Sequence, residues 1–114
     1  LSCHEEEQKI AEVNHIHSVL VGDMHALPFS DNSFGGVLLW DYLQTSIAPI
    51  IVLREVYRVL SKGGKLLLGL SEERDYPYYY SNLTPRQLTW LLRRAGLETV
   101  SMDREAGIYK AEKL

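Results

Sequence analysis

The sequence predicts an α/β domain built on a mostly parallel β-sheet that closes with an antiparallel hairpin. Three observations carry this. Apolar runs of strand length at 19–21, 36–40 and 65–70 are nearly continuous rather than alternating, as in strands buried on both faces. A helical pattern separates the second run from the third and another follows it, which is the spacing of crossover connections. The C-terminal residues instead alternate apolar and polar on either side of Glu105-Ala106-Gly107, the pattern of a hairpin.

Residues 4–14 are good helix formers in which Ile10 and Val13 make a narrow apolar edge, and Ser2 offers a cap, so a short surface helix is expected. Residues 15–22 alternate and then run apolar through Val19, Leu20 and Val21 to Gly22, a buried strand. Pro28, Asp31, Asn32 and Ser33 make 23–33 a turn-rich connection to the second strand at 36–40. Pro49 suits the first turn of a helix in which Val52, Leu53, Val56, Tyr57 and Leu60 recur at helical spacing, with Arg54, Glu55 and Arg58 on the other side. Gly63 and Gly64 are expected to stop that helix before a third strand at 65–70. Residues 71–82 are polar, tyrosine-rich and too irregular for an element. Thr84 and Pro85 read as the cap and first residue of a helix through Leu88, Leu91 and Leu92 that closes at Gly96. Residues 98–103 and 108–113 form the hairpin.

A chain of 114 residues holds one domain, and 46% hydrophobic with 24% charged residues is a globular composition. The apolar runs are too short for a transmembrane helix or a secretion signal, so no membrane partner is expected. Twelve Lys and Arg against 15 Asp and Glu, with no block of like charge longer than Glu5-Glu6-Glu7, leave no footprint for nucleic acid. The single cysteine, Cys3, excludes an intrachain disulfide and suits a reducing, cytoplasmic setting. Cys3, His4, His15, His17 and His25 do not stand at zinc-ligand spacing, so no metal is expected. No nucleophile elbow surrounds Ser30 or Ser33.

Between residues 22 and 70 the motifs fall in a recognisable order. Gly22-Asp23 ends a strand, Leu27-Pro28-Phe29 makes a turn, and Asp31-Asn32-Ser33-Phe34 leads into a buried strand. Leu43, Pro49 and the run LREVYRVLSKGGKLLLGL at 53–70 follow, and 83–85 with 95–97 bracket a last helix. In this order the chain resembles the later half of class I S-adenosylmethionine-dependent methyltransferases of the small-molecule kind. The resemblance implies a truncated Rossmann-like methyltransferase sheet, with 1–114 a single domain corresponding to the C-terminal part of that fold. It further implies S-adenosylmethionine as cofactor and methyl transfer to a small-molecule acceptor. Gly35, Thr45, Ala48 and Ser61-Lys62 depart from the family pattern, which has Asp, His, Asp and Lys-Pro there. No Gly-x-Gly-x-Gly strand end is present either, so this chain alone is expected to bind the cofactor weakly or not at all. No catalytic residue is identified.

Ligands of such folds lie outside the carboxyl ends of the strands. The resemblance implies that Asp23 accepts from the adenine amino group, that Met24 frames the ring, and that Trp40, followed by Asp41, lies beside the methionine part. Asp23 reads also as a turn former, and the plainer reading of Trp40 is a cap on the core. Tyr78, Tyr79 and Tyr80, with Tyr76 across Pro77, fall where relatives shape the acceptor pocket; aromatic rings there suit a cationic or planar substrate, or a protein interface. Val37, Leu38 and Leu39 are too apolar for an open sheet edge, from which a homodimer is expected. The alternative to an enzyme is a non-catalytic interaction or dimerisation module that kept the fold.

Overall fold

In the structure, a computed structural model that describes residues 24–40, 42–70 and 83–114, the turn-rich stretch leads into β1 at Phe34–Trp40. A 3-10 turn at Leu43–Thr45 precedes helix α1, Pro49–Val59, and β2 follows at once, Leu60–Gly69. Helix α2 spans Pro85–Ala95, and β3, Leu97–Asp103, and β4, Ile108–Lys113, complete the fold. The helix expected at 4–14, the strand at 15–22 and the tyrosine-rich segment 71–82 lie outside the described residues.

The four strands lie in the order β1-β2-β4-β3. β1 pairs parallel with β2, whereas β4 pairs antiparallel with both β2 and β3, so β4 alone runs against the other three. The described sheet is therefore mixed, with three of its four strands running the same way and the expected hairpin closing it. α2 begins and ends as its sequence predicts. Thr84 accepts from the Gln87 amide while the Gln87 side chain accepts from the Thr84 amide, and Gly96 closes the helix in the left-handed conformation.

α1 ends differently from expectation. Gly63 and Gly64 do not stop it; the helix ends at Val59 and Leu60 is already extended. The reason is a nonlocal cap. The Asn32 amide donates to the Arg58 carbonyl at 2.9 Å and the Ser33 amide to the Val59 carbonyl at 2.8 Å, so the turn before β1 satisfies the helix's last carbonyls. The glycines serve a bulge instead. Phe34 pairs with Leu60 but Gly36 pairs with Lys65, so β2 carries extra residues that loop out of the ladder. Gly63 sits at φ +78°, and a Cβ on Gly64 would lie 2.7 Å from the Ser61 carbonyl oxygen.

Because strand side chains alternate, the sheet has two unlike faces. Val37, Leu39, Leu66, Leu68, Tyr109 and Ala111 are buried in one core with Val52, Leu53 and Val56 of α1 and Leu88 and Leu92 of α2. On the other face Leu38, Leu67 and Ile108 are half-buried and Lys110 is exposed. Both described helices thus cover the same face, and among the described residues the expected cover on the second face is not found. At the edge where β1 begins, Lys113 is buried and donates to Asn32 Oδ1 at 2.8 Å and to the Tyr57 carbonyl at 2.9 Å, with its ammonium over the Tyr57 ring. That edge is sealed. The opposite one carries the candidate site.

Candidate functional site

The carboxyl ends of β1 and β2 meet at a register pair, Trp40 opposite Gly69. The missing side chain of Gly69 is what accommodates Trp40. A Cβ built on Gly69 would fall 2.6 Å from Trp40 Cδ2 and Cζ3, so the indole lies directly over the glycine. Trp40 nevertheless keeps 41% of its surface exposed, which leaves an apolar surface at the edge where ligands of open α/β sheets bind. Its side chain belongs to the half-covered face, since Val37 and Leu39 point to the other.

Residues 24–25 are tied to the connection between β1 and α1. The Met24 amide donates to the Tyr42 hydroxyl at 3.1 Å, and His25 Nε2 and Ser46 Oγ share a hydrogen bond of 2.6 Å. Ser46 is buried and also accepts from the Ala48 amide, while the Thr45 hydroxyl donates to the Tyr42 carbonyl at 2.6 Å. The His25 and Tyr42 rings stand 6.3 Å apart at 52°. Two segments far apart in sequence therefore converge on one edge beside Trp40's strand. Met24 itself is fully buried and its amide is taken by Tyr42, so in this conformation it packs the site from beneath. Asp23 and Asp41 lie outside the described residues, as do Tyr76, Tyr78, Tyr79 and Tyr80.

The Leu27-Pro28-Phe29 turn is held by a group that the sequence reading placed only on the polar side of its helix. Arg58 donates through Nε and one terminal nitrogen to the two oxygens of Glu55, and through its remaining hydrogens to the Leu27 carbonyl, the Phe29 carbonyl and Asp31. All five guanidinium donors are used. Glu55 Oε2 in turn accepts from the Leu27 amide at 2.8 Å. Hydrogen bonds from Arg58 hold the Glu55 carboxyl below its ordinary pKa, partial burial opposes them, and the Leu27 amide adds to the lowering. The same pair raises the Arg58 pKa further. The motif pieces at 27–31 and 54–58 are thus two halves of one latch, which fixes the approach of 24–25 to the ligand edge. The i,i+3 spacing of Glu55 and Arg58 was a visible signal of the ion pair, but not of its grip on the turn.

Comparison with known proteins agrees with this architecture. The profile of a family described as "Methyltransferase domain" matches residues 2–68. The ubiquinone/menaquinone biosynthesis C-methyltransferase UbiE of Ruegeria sp. (strain TM1040) is 35% identical over 92 residues, which cover 72% of this chain and 37% of that protein. The chain therefore spans little more than a third of the length of this curated relative. Among solved structures, the 4+2 cyclase SpnF is 25% identical with a TM-score of 0.62, over 82% of this chain and 39% of that one. The Burkholderia thailandensis 1,6-didemethyltoxoflavin-N1-methyltransferase, solved with bound 1,6-didemethyltoxoflavin and S-adenosylhomocysteine, superposes with a TM-score of 0.69 at 19% identity, over 96% of this chain and 56% of that one.

Proposed function

The chain belongs to the methyltransferase-domain family, and from that premise we propose that it acts in S-adenosylmethionine-dependent methyl transfer to a small molecule, in the cytoplasm. The observation that carries the reading is the half-exposed indole of Trp40 over Gly69 at the carboxyl edge, with Trp40 inside the span that matches the family and Gly69 one residue past its end. A planar apolar surface beside polar groups fits the purine and thioether parts of the cofactor. The described glycines, by contrast, serve the start of β1, a bulge, the Trp40 contact, a helix cap and a turn, and none forms a strand-to-helix loop for its amino-acid part. The fit is to one wall of the cofactor.

On this reading Asp23, Met24 and Trp40 hold the cofactor, and Met24 does so through an amide that must leave Tyr42. Tyr78, Tyr79 and Tyr80 shape the acceptor site. The bound cofactor supplies an electrophilic methyl group. The contribution of this chain is positioning, which can carry much of such a catalysis without a general base. The Glu55–Arg58 latch sets the height of the 24–29 turn, and the Trp40–Gly69 pair sets the stacking surface.

S-adenosylhomocysteine titrated calorimetrically into the 114-residue chain is expected to bind weakly, with a dissociation constant no tighter than about 0.1 mM, roughly 5.5 kcal/mol of binding free energy. A low-micromolar one-site isotherm would sink the view that a glycine loop is indispensable. We also propose that the chain forms a homodimer through β1, a border strand among the described residues. Sedimentation of a single monomeric species at micromolar concentration rejects that pairing. A second reading, a non-catalytic interaction module, draws support from the half-buried face of Leu38, Leu67 and Ile108; it predicts an intact dimer with no ligand-induced change even at millimolar S-adenosylhomocysteine.

A further inference from the structure

Helix α2 turns its apolar residues Leu88, Leu92 and Ala95 into the core, and its outward face is unlike the rest of the chain. Arg86, Trp90, Arg93 and Arg94 fall at i, i+4, i+7 and i+8, which places them together on one side of the helix. All four are exposed, Trp90 at 61%. The Arg94 guanidinium lies 5.6 Å from the centre of the Trp90 ring. Beyond that contact, none of the three guanidinium groups makes an ion pair or hydrogen bond among the described residues. The helix holds no acidic residue, although the whole chain carries a net charge of −3.

Helix stability explains only part of this. Arg93 and Arg94 in the last turn complement the negative end of the helix dipole, but Arg86 stands in the first turn, where a cation is unfavourable. An exposed tryptophan adds little to the helix beyond its contact with Arg94. Tryptophan and arginine are, however, the residues that most often dominate binding energy at protein interfaces. We infer that this face of α2 docks an acidic segment of a partner protein, with Trp90 as the apolar anchor and the three arginines pairing with carboxylates. Charge complementarity selects the occupant. The patch is about 12 Å long, the axial rise from Arg86 to Arg94, and belongs to a net-acidic chain. A nucleic-acid backbone or an anionic bilayer extending past it would meet that negative charge, whereas a short acidic segment ends where the patch ends. This docking is independent of methyl transfer.

The test is fluorescence anisotropy with the full chain and a fluorescein-labelled peptide of about twelve residues in which glutamates alternate with leucine and alanine. Binding at low salt is expected to weaken at least about tenfold in Arg93→Glu/Arg94→Glu and in Trp90→Ala, and to fall as salt is raised. The Lys62→Glu/Arg104→Glu variant makes the same change in net charge elsewhere and is expected to bind as the unaltered chain does. Should the reversed charges unsettle the helix, as circular dichroism would report, Arg86→Gln/Arg93→Gln/Arg94→Gln carries the comparison. Equal affinity in the arginine variants overturns the inference. So does tighter, arginine-dependent binding to phosphatidylserine vesicles or to a single-stranded oligonucleotide, which would assign the patch to a membrane or a nucleic acid.

Discussion

Gly69→Ala is the substitution that bears most closely on the candidate site. The new methyl would stand 2.6 Å from two indole carbons of Trp40, well inside van der Waals contact, so the ring must lift or swing outward. Trp40 is 41% exposed, so somewhat more than half of its surface is at stake. A tryptophan buries roughly 150–250 Å² when it packs, and losing about half of that at about 25 cal/mol per Å² costs about 2–3 kcal/mol. Replacing glycine within a strand returns about 0.5–1 kcal/mol through the unfolded chain. The net expectation is a destabilisation of about 1–2.5 kcal/mol. Urea unfolding measures it, and in a Trp90→Phe background Trp40 is the sole tryptophan, so a red-shifted emission reports its displacement. A variant at least as stable as its parent, with unshifted emission, refutes the stacked geometry and the surface built on it.

The Glu55–Arg58 latch makes its own predictions. Because the folded carboxyl titrates below its ordinary value, the latch contributes fully above about pH 4.5 and is lost as pH falls through the lowered value. Glu55→Gln is therefore expected to differ in stability from the unaltered chain by a constant amount from pH 7 to about pH 5, with the gap closing in more acidic buffer; urea melts across that series test it. Lysine keeps the charge of Arg58 but not its fork, so Arg58→Lys should speed hydrogen exchange at the Leu27 amide while leaving α2 unaffected. Thr84→Ala removes the capping box of α2 and should cost about 1 kcal/mol in denaturant unfolding.

What the sequence disclosed and what it concealed divide along the range of the interactions. α2, its Thr84 cap, its Gly96 stop and the hairpin turn at Gly107 were all legible, because each is decided by residues within a few positions of one another. The end of α1 was not. Its stop is made by amides of Asn32 and Ser33, some 26 residues upstream, and a glycine pair close by offered a plausible but unused alternative. Trp40 was visible as an edge residue from the end of its apolar run, whereas its seat on Gly69 depends on the register between two strands. Likewise Arg58 and Glu55 looked like solvated helix charges, since nothing local shows that the 27–31 turn folds back over them. The family resemblance gives Met24 only a ring-framing role, and its complete burial with its amide on Tyr42 emerges only when the two segments meet.

The central claim is that the carboxyl edge around Trp40 is where the cofactor meets this chain. The most direct measurement follows amide and indole resonances of the labelled chain as S-adenosylhomocysteine is raised to millimolar concentration, a range in which weak binding is visible. Shifts are expected at the Trp40 indole and at the Met24, Tyr42 and Gly69 amides, with Asn32 and Lys113 at the sealed edge unmoved. Shifts centred on Asn32 and Lys113, or none anywhere at saturating ligand, would contradict it.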